Sequence, residues 1–409
     1  MDVSTPRLKT KGDVTQRGRR VTLRSVAIAF LLLALIGVGP LRFVGSAWAL
    51  VDQSPKKKKE QHGKKPKHKR GKKKADMKAV PPDEAAEKAA LEKLGGGFKL
   101  HRTRHYSVLY NTSKKDVKAF SVAIEKTYRS CVNYTLKLGL PTKPPKTKLL
   151  IFYFQEHKDY SAYCEKIHVG PQPQSTPGLY VPALNRSLFY NFRNQSSFKQ
   201  AREQAERRIA EIKDRMRRGK VGPAERRRMQ AEIRQLRSQA NASNTQGGEI
   251  SESTVQHEVS HQVLWNIGLH NPRKFEANPR WFVEGTAMMF EPISTGHSAN
   301  FGALNKERLL EFRDVEKSGR LIPLRKFISS AEPFGPGTID IAYPEAWALV
   351  HYLNRTRRKR LKKYIELLNK RPKGYEPDPD QEVADFESVF GKLDKKWEQR
   401  WLHWVDRIH

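Results

Sequence analysis

The chain has 409 residues, with 78 Lys and Arg against 43 Asp and Glu, for a net charge of +35. That length suits one large domain or two ordinary ones, and the basic excess bears on partners and solubility rather than on fold. Two cysteines, Cys131 and Cys164, exclude a disulfide scaffold and lack the spacing of a cysteine metal site; in an exported protein they either pair once or stay as buried thiols.

Residues 1–49 read as an export signal. Arg17, Arg19, Arg20 and Arg24 precede an apolar run over residues 26–38, and Ala47-Trp48-Ala49 has the small-x-small pattern of a cleavage site. The run is shorter than the roughly 20 residues of a spanning helix, which favours a cleaved signal over an uncleaved anchor and places the chain in the periplasm, in the envelope or outside the cell. Residues 50–82 follow as a linker dense in lysine between Lys56 and Lys74. So little apolar surface cannot offset the entropy of ordering, so the linker is expected to be disordered. It is either a solvated spacer or a contact for anionic lipid or cell-wall polymer.

Folded sequence is expected from Asp83. Residues 83–94 predict a short helix and 105–110 a strand. Residues 116–138 predict a helix with Phe120, Ile124, Tyr128, Val132 and Leu136 on one face, and Gly139 as its stop. A strand over 148–154, a short helix over 159–167, and strands over 178–181 and 186–190 joined by a turn come next. Residues 197–242 change character, being rich in Arg, Lys, Glu, Gln and Ala. Gly219, Gly222 and Pro223 divide them into two helical halves with sparse, periodic apolar positions. The segment reads as a charged helical hairpin, coiled-coil-like, inserted into the domain as a solvated protrusion rather than a nucleic-acid arm.

Ser253 predicts the N-cap of the next helix, which contains Val255-Gln-His-Glu-Val-Ser-His-Gln-Val263. Residues four apart on a helix lie on one face, so His257 and His261 can reach one metal ion at about 2.0–2.1 Å. Glu258 then points beside that ion and can take a proton from water. The apolar positions Val255, Val259, Val263 and Leu264 bury this helix, and buried histidines and a glutamate need partners that a metal supplies. Helices over 281–290 and 343–353 follow. The chain ends in two helices whose Leu393, Trp397, Trp401, Trp404 and Ile408 are spaced as a core stripe.

Pro279-Arg-Trp-Phe-Val-Glu-Gly-Thr-Ala287, downstream of the first motif, resembles the Trp-x-x-Glu-Gly pattern of the gluzincin superfamily, which includes thermolysin-like and aminopeptidase N-like enzymes. The resemblance makes Glu284 the third ligand of a Zn2+ ion held with His257 and His261. Tyr343-Pro-Glu-Ala-Trp-Ala-Leu-Val-His-Tyr-Leu353 is similar to the helix carrying the catalytic tyrosine of aminopeptidase N-like enzymes, which implies that Tyr343, or alternatively His351, stabilises the oxyanion. The strongest likeness is to bacterial exported proteins called peptidase MA-like. It covers roughly residues 98–195 and 250–409 and skips the charged hairpin. The Gly-x-Met-Glu-Asn strand that binds a free amine in the aminopeptidases is absent; its place holds Gly178-Leu-Tyr-Val-Pro182, where an edge strand can pair with an extended peptide.

The expectation is therefore an α+β, thermolysin-like domain, a small twisted sheet packed on a helical half with an inserted hairpin. Its expected activity is zinc-dependent endopeptidase cleavage of a peptide or protein, with Glu258 as base. The competing expectation is a non-catalytic zinc-binding envelope protein that holds anionic polymers through its basic segments. No nucleic-acid module is recognised.

Overall fold

The computed structural model describes residues 78–219, 221–292, 301–335 and 337–409. The export segment and nearly all of the lysine-rich linker lie outside the described residues. The ordered body begins slightly earlier than Asp83: Val80 is buried and its N–H donates to the Arg104 carbonyl at 3.1 Å.

The architecture is α+β. The first half contains α1 (Glu84–Leu94), β1 (Lys99–Arg102), β2 (Tyr106–Tyr110), α2 (Lys114–Lys137), β3 (Leu149–Phe154), α3 (His157–Lys166), β4 (Gly178–Val181) and β5 (Arg186–Tyr190). The strands form one sheet in the order β1-β2-β3-β5-β4. The pairs β2–β3 and β3–β5 are parallel, and the two edge strands are antiparallel to their neighbours. Strand side chains alternate between faces, and here both faces are covered. Val108, Ile151 and Phe189 join the core beneath α2, whereas Leu109, Phe152 and Leu188 join a second core with Tyr160 and Tyr163 of α3. Cys131 belongs to the first core and Cys164 to the second, and both are free thiols. The sheet separates them, so the alternative of one disulfide is removed.

Ser113 caps α2 by accepting from the Asp116 N–H. Gly139, at φ +76°, closes its far end. The strand β1 was not expected from the sequence. Only four residues long and half-exposed, it lacks a buried alternating face.

After the sheet come α4 (Ser196–Arg218) and α5 (Pro223–Asn266). The hairpin expected over 197–242 is present, but its second helix does not stop there, and Ser253 is not an N-cap. A single 44-residue helix runs from the hairpin tip to the histidine motif, about 66 Å at 1.5 Å per residue. Gly247 and Gly248 suggest a break, since glycine weakens a helix interior. Their use here is close approach. A Cβ on Gly247 would sit 3.3 Å from the Phe198 ring, and one on Gly248 only 2.8 Å from the Arg193 guanidinium.

The helical half is built from α6 (Arg280–Met288), α7 (Lys306–Lys317), α8 (Leu324–Ser329), α9 (Ile339–Thr356), α10 (Arg358–Leu368), α11 (Pro379–Phe390) and α12 (Lys395–Asp406). Trp397, Trp401 and Val405 are buried, and Leu393, Trp404 and Ile408 pack against the same core. No helix among the described residues is long and apolar enough to cross a membrane.

Candidate metal centre

The last turns of α5 pass between the sheet and the helical half. Val255, Val259, Val263 and Leu264 are buried, and so are His257 and His261 on the adjoining stripe. Gln262 fastens this helix to the sheet. Its amide donates to the carbonyls of Leu150 at 3.2 Å and Asn185 at 3.0 Å, and its oxygen accepts from Ser187 at 3.1 Å.

Helix α6 brings up Glu284. Its neighbour Gly285 permits the approach, because a Cβ there would lie 2.4 Å from the Ala346 carbonyl oxygen and 2.6 Å from Val350 Cγ2. Helices α6 and α9 therefore pack almost backbone to backbone at the residue after the carboxylate.

The three side chains converge. Glu284 Oε2 lies 3.2 Å from His257 Nε2 and 3.5 Å from His261 Nε2. One donor atom from each residue falls within 4.8 Å of the others, and all three residues are buried. Two imidazole nitrogens and a carboxylate oxygen facing one point form a donor set that fits a metal ion.

Neighbouring groups fix the ligands' electrical state. Glu291 Oε1 lies 3.0 Å from His257 Nδ1. Arg308 grips the same carboxylate with both arms, at 3.1 Å each, and Asn305 donates to it at 2.8 Å. Burial opposes ionisation of Glu291, yet Arg308 and His257 bring its pKa down to about 2. Burial likewise opposes charge on His257, but Glu284 and Glu291 overcome it and raise the ring to about 10. Glu284 works against its own burial too; Arg280, 3.0 Å from Oε1, and His261 hold it well below the usual carboxylate range.

Glu258 is half-buried beside the cluster. Its Oε2 accepts from the Tyr180 N–H at 2.8 Å. Strand β4, which carries Tyr180, is the sheet's edge strand on this side, and β5 pairs only with its other edge. The carboxylate thus caps an outward-facing N–H of the edge strand.

Tyr343, on the first turns of α9, stands over His257, with ring centroids 6.2 Å apart and planes inclined by 25°. The Arg308 guanidinium lies 5.8 Å from the Tyr343 ring. Burial pushes the pKa of the Tyr343 hydroxyl well above the ordinary value. His351 lies elsewhere. It is buried between Trp347, at 5.0 Å, and Trp404, at 5.5 Å. Burial, reinforced by Arg355, lowers its pKa to about 4, so it is a neutral core histidine rather than a neighbour of Tyr343 at the cluster.

Five residues expected from the sequence meet here: His257, Glu258, His261, Glu284 and Tyr343. Sequence reasoning missed Glu291, Arg308, Asn305, Arg280 and the Tyr180 amide. Arg280 had a readable signal, four residues before Glu284 on one helix. Glu291 had a weaker one in its isolation between Phe290 and Pro292.

The model of a family described as "Protein of unknown function (DUF1570)" matches residues 251–373, a stretch that contains His257, Glu258, His261, Glu284, Glu291 and Tyr343. No curated protein and no solved structure matches the chain.

Proposed function

We propose that this chain is a zinc metallopeptidase of the gluzincin type, with a thermolysin-like arrangement of sheet, metal helix and glutamate helix, acting on peptides outside the cytoplasm. The observation that carries the reading is the convergence of His257 Nε2, His261 Nε2 and Glu284 Oε2 on one buried point, with Glu258 one residue along the same helix. Three ligands with room for water are the usual set of a catalytic rather than a structural zinc.

Zinc bound there would supply Lewis acidity, polarising the scissile carbonyl and bringing the pKa of water toward about 7. The protein's own groups do the rest. Glu258 takes a proton from the attacking water as its oxygen bonds to the carbonyl carbon. Glu258 then returns that proton to the amide nitrogen as the C–N bond breaks, leaving a carboxylate and an amine. The Tyr180 N–H orients the Glu258 carboxylate before substrate arrives. The Tyr343 hydroxyl donates to the oxyanion as charge develops. Glu291 holds His257 Nδ1 and leaves Nε2 directed at the cluster.

Purified protein should hold about one zinc per chain, and digestion of a broad peptide library should show cleavage. Glu258→Gln should retain the zinc and lose cleavage by several orders of magnitude, since it removes the proton carrier and not a ligand. Zinc retained by wild type that cleaves nothing would favour the non-catalytic envelope protein. Stoichiometric zinc persisting in a His257→Ala, His261→Ala double variant would sink the site assignment.

A further inference from the structure

The first part of α5 pairs with α4 to make an arm whose internal packing is thin. Only Ile212, Met229 and Ile233 form its buried core, with Ile209, Met216, Val221 and Leu236 partly buried around them. Along one side runs an open groove of about 870 Å³. Its apolar lining comes from Ala205, Ile209, Ala210, Met216 and Ala240, and its rim carries Lys213, Arg217, Arg226 and Arg237 against the single acid Glu206. Among the described residues, Lys213, Arg226 and Arg237 have no carboxylate within ion-pair range, and Arg217 reaches only Asp214 at 3.5 Å.

We infer that this groove docks an acidic amphipathic helix of another protein. Small residues flanked by Ile209 and Met216 make a seat of the kind one helix offers another, and an incoming apolar face would complete a three-helix packing that two helices leave unfinished. The rim selects the sign of the flanks, because unpaired cations around an apolar seat favour acidic partners and repel basic ones. That excludes the chain's own remaining segments, since residues 1–77 are strongly basic and 293–300 carry no Asp or Glu. It also disfavours a second copy. A twofold contact places the same patch against itself, and here that sets cationic rim on cationic rim. A bare polyanion would satisfy the rim but leave the apolar seat uncovered.

Ala240 lies seventeen residues before His257 on one continuous helix, so the docked helix would lie about 25 Å along that helix from the metal cluster. The inference stands whether or not the cluster is catalytic.

The test uses the full chain and two synthetic fluorescent peptides of about three heptads. One has Leu at heptad a and d positions with Glu flanks; the other has the same composition scrambled. Anisotropy should show the patterned peptide binding at least tenfold tighter. Ala240→Glu, which fills the seat with a like charge for the peptide, should weaken it at least tenfold, as should the double variant Arg226→Glu, Arg237→Glu. Unchanged melting curves would show that the variants fold. Equal binding of the two peptides, or undiminished binding by either variant, would overturn the inference. So would a concentration-dependent dimer, seen by sedimentation, that Ala240→Glu abolishes, because the groove would then belong to a second copy.

Discussion

His257 Nδ1 and Glu291 Oε1 lie 3.0 Å apart, and Arg308 and Asn305 hold the same carboxylate. The contact fixes which histidine nitrogen carries hydrogen and which is offered to a metal. The companion ring differs, since His261 Nδ1 is buried with no partner among the described residues. Orientation of the two rings toward Glu284 therefore rests mainly on Glu291.

Glu291→Gln should lower metal affinity by roughly 10- to 100-fold, the usual cost of losing such a partner. Competition with a chromogenic chelator measures this directly. The fold should survive, because the amide can still accept from Arg308 and Asn305. Unaltered affinity would mean that packing alone orients His257.

Tyr343→Phe keeps the ring and removes only the hydroxyl. On the proposed mechanism, zinc content and melting temperature stay nearly unchanged while turnover falls about a hundredfold or more, matching about 2.7–4 kcal/mol of oxyanion stabilisation. Retention of most turnover would make Tyr343 a packing residue. His351→Ala should act on stability instead, given its place between two tryptophans.

Gly285→Ala adds one methyl where the Ala346 carbonyl oxygen is 2.4 Å away. Backbone cannot yield as a side-chain tip can, so α6 must shift and carry Glu284 with it. Overpacking of this kind costs about 1–3 kcal/mol. The expected result is a lower denaturation midpoint together with weaker metal binding; an unperturbed melt would contradict the close packing of α6 and α9.

Glu345 predicts a pH effect away from the metal. It is fully buried on α9 and accepts from the Ile322 N–H at 3.1 Å, while its other oxygen has no partner among the described residues. Burial raises its pKa to about 8 from 4.5. Between those values the folded state keeps a proton that the unfolded state has lost, so stability declines as pH rises from about 4.5 through 8. Glu345→Gln removes the ionisation and should be more stable than wild type at pH 9 by on the order of 2 kcal/mol. Denaturant titrations at pH 5 and pH 9 check this; identical pH slopes would remove Glu345 as the cause.

Local spacing was enough to identify His257, Glu258 and His261, because four residues on a helix return a side chain to the same face whatever surrounds it. The same periodicity marked α2 and the tryptophan stripe of α12, alternation marked β2, a β-rich run marked β3, and a turn between two short runs marked β4 and β5. Resemblance to a known pattern added Glu284 and Tyr343. Helix α7, which carries Arg308, and helix α8 were not read from the sequence. In α7 burial is sparse, with Leu309, Phe312 and Val315 its only buried apolar residues, and α8 is just six residues long.

Tertiary structure alone decided the partners. Glu291 lies 34 residues from His257 in the chain, and the Tyr180 amide lies 78 residues from Glu258; no local period encodes such pairs. It also decided the continuity of α5. Glycines at 247 and 248 and polar residues around them read locally as a break, but Phe198 and Arg193 pack against those glycines, and that close contact offsets the weak helical preference. Helix propensity is a small energy per residue, whereas the packing that overrides it comes from groups distant in the chain.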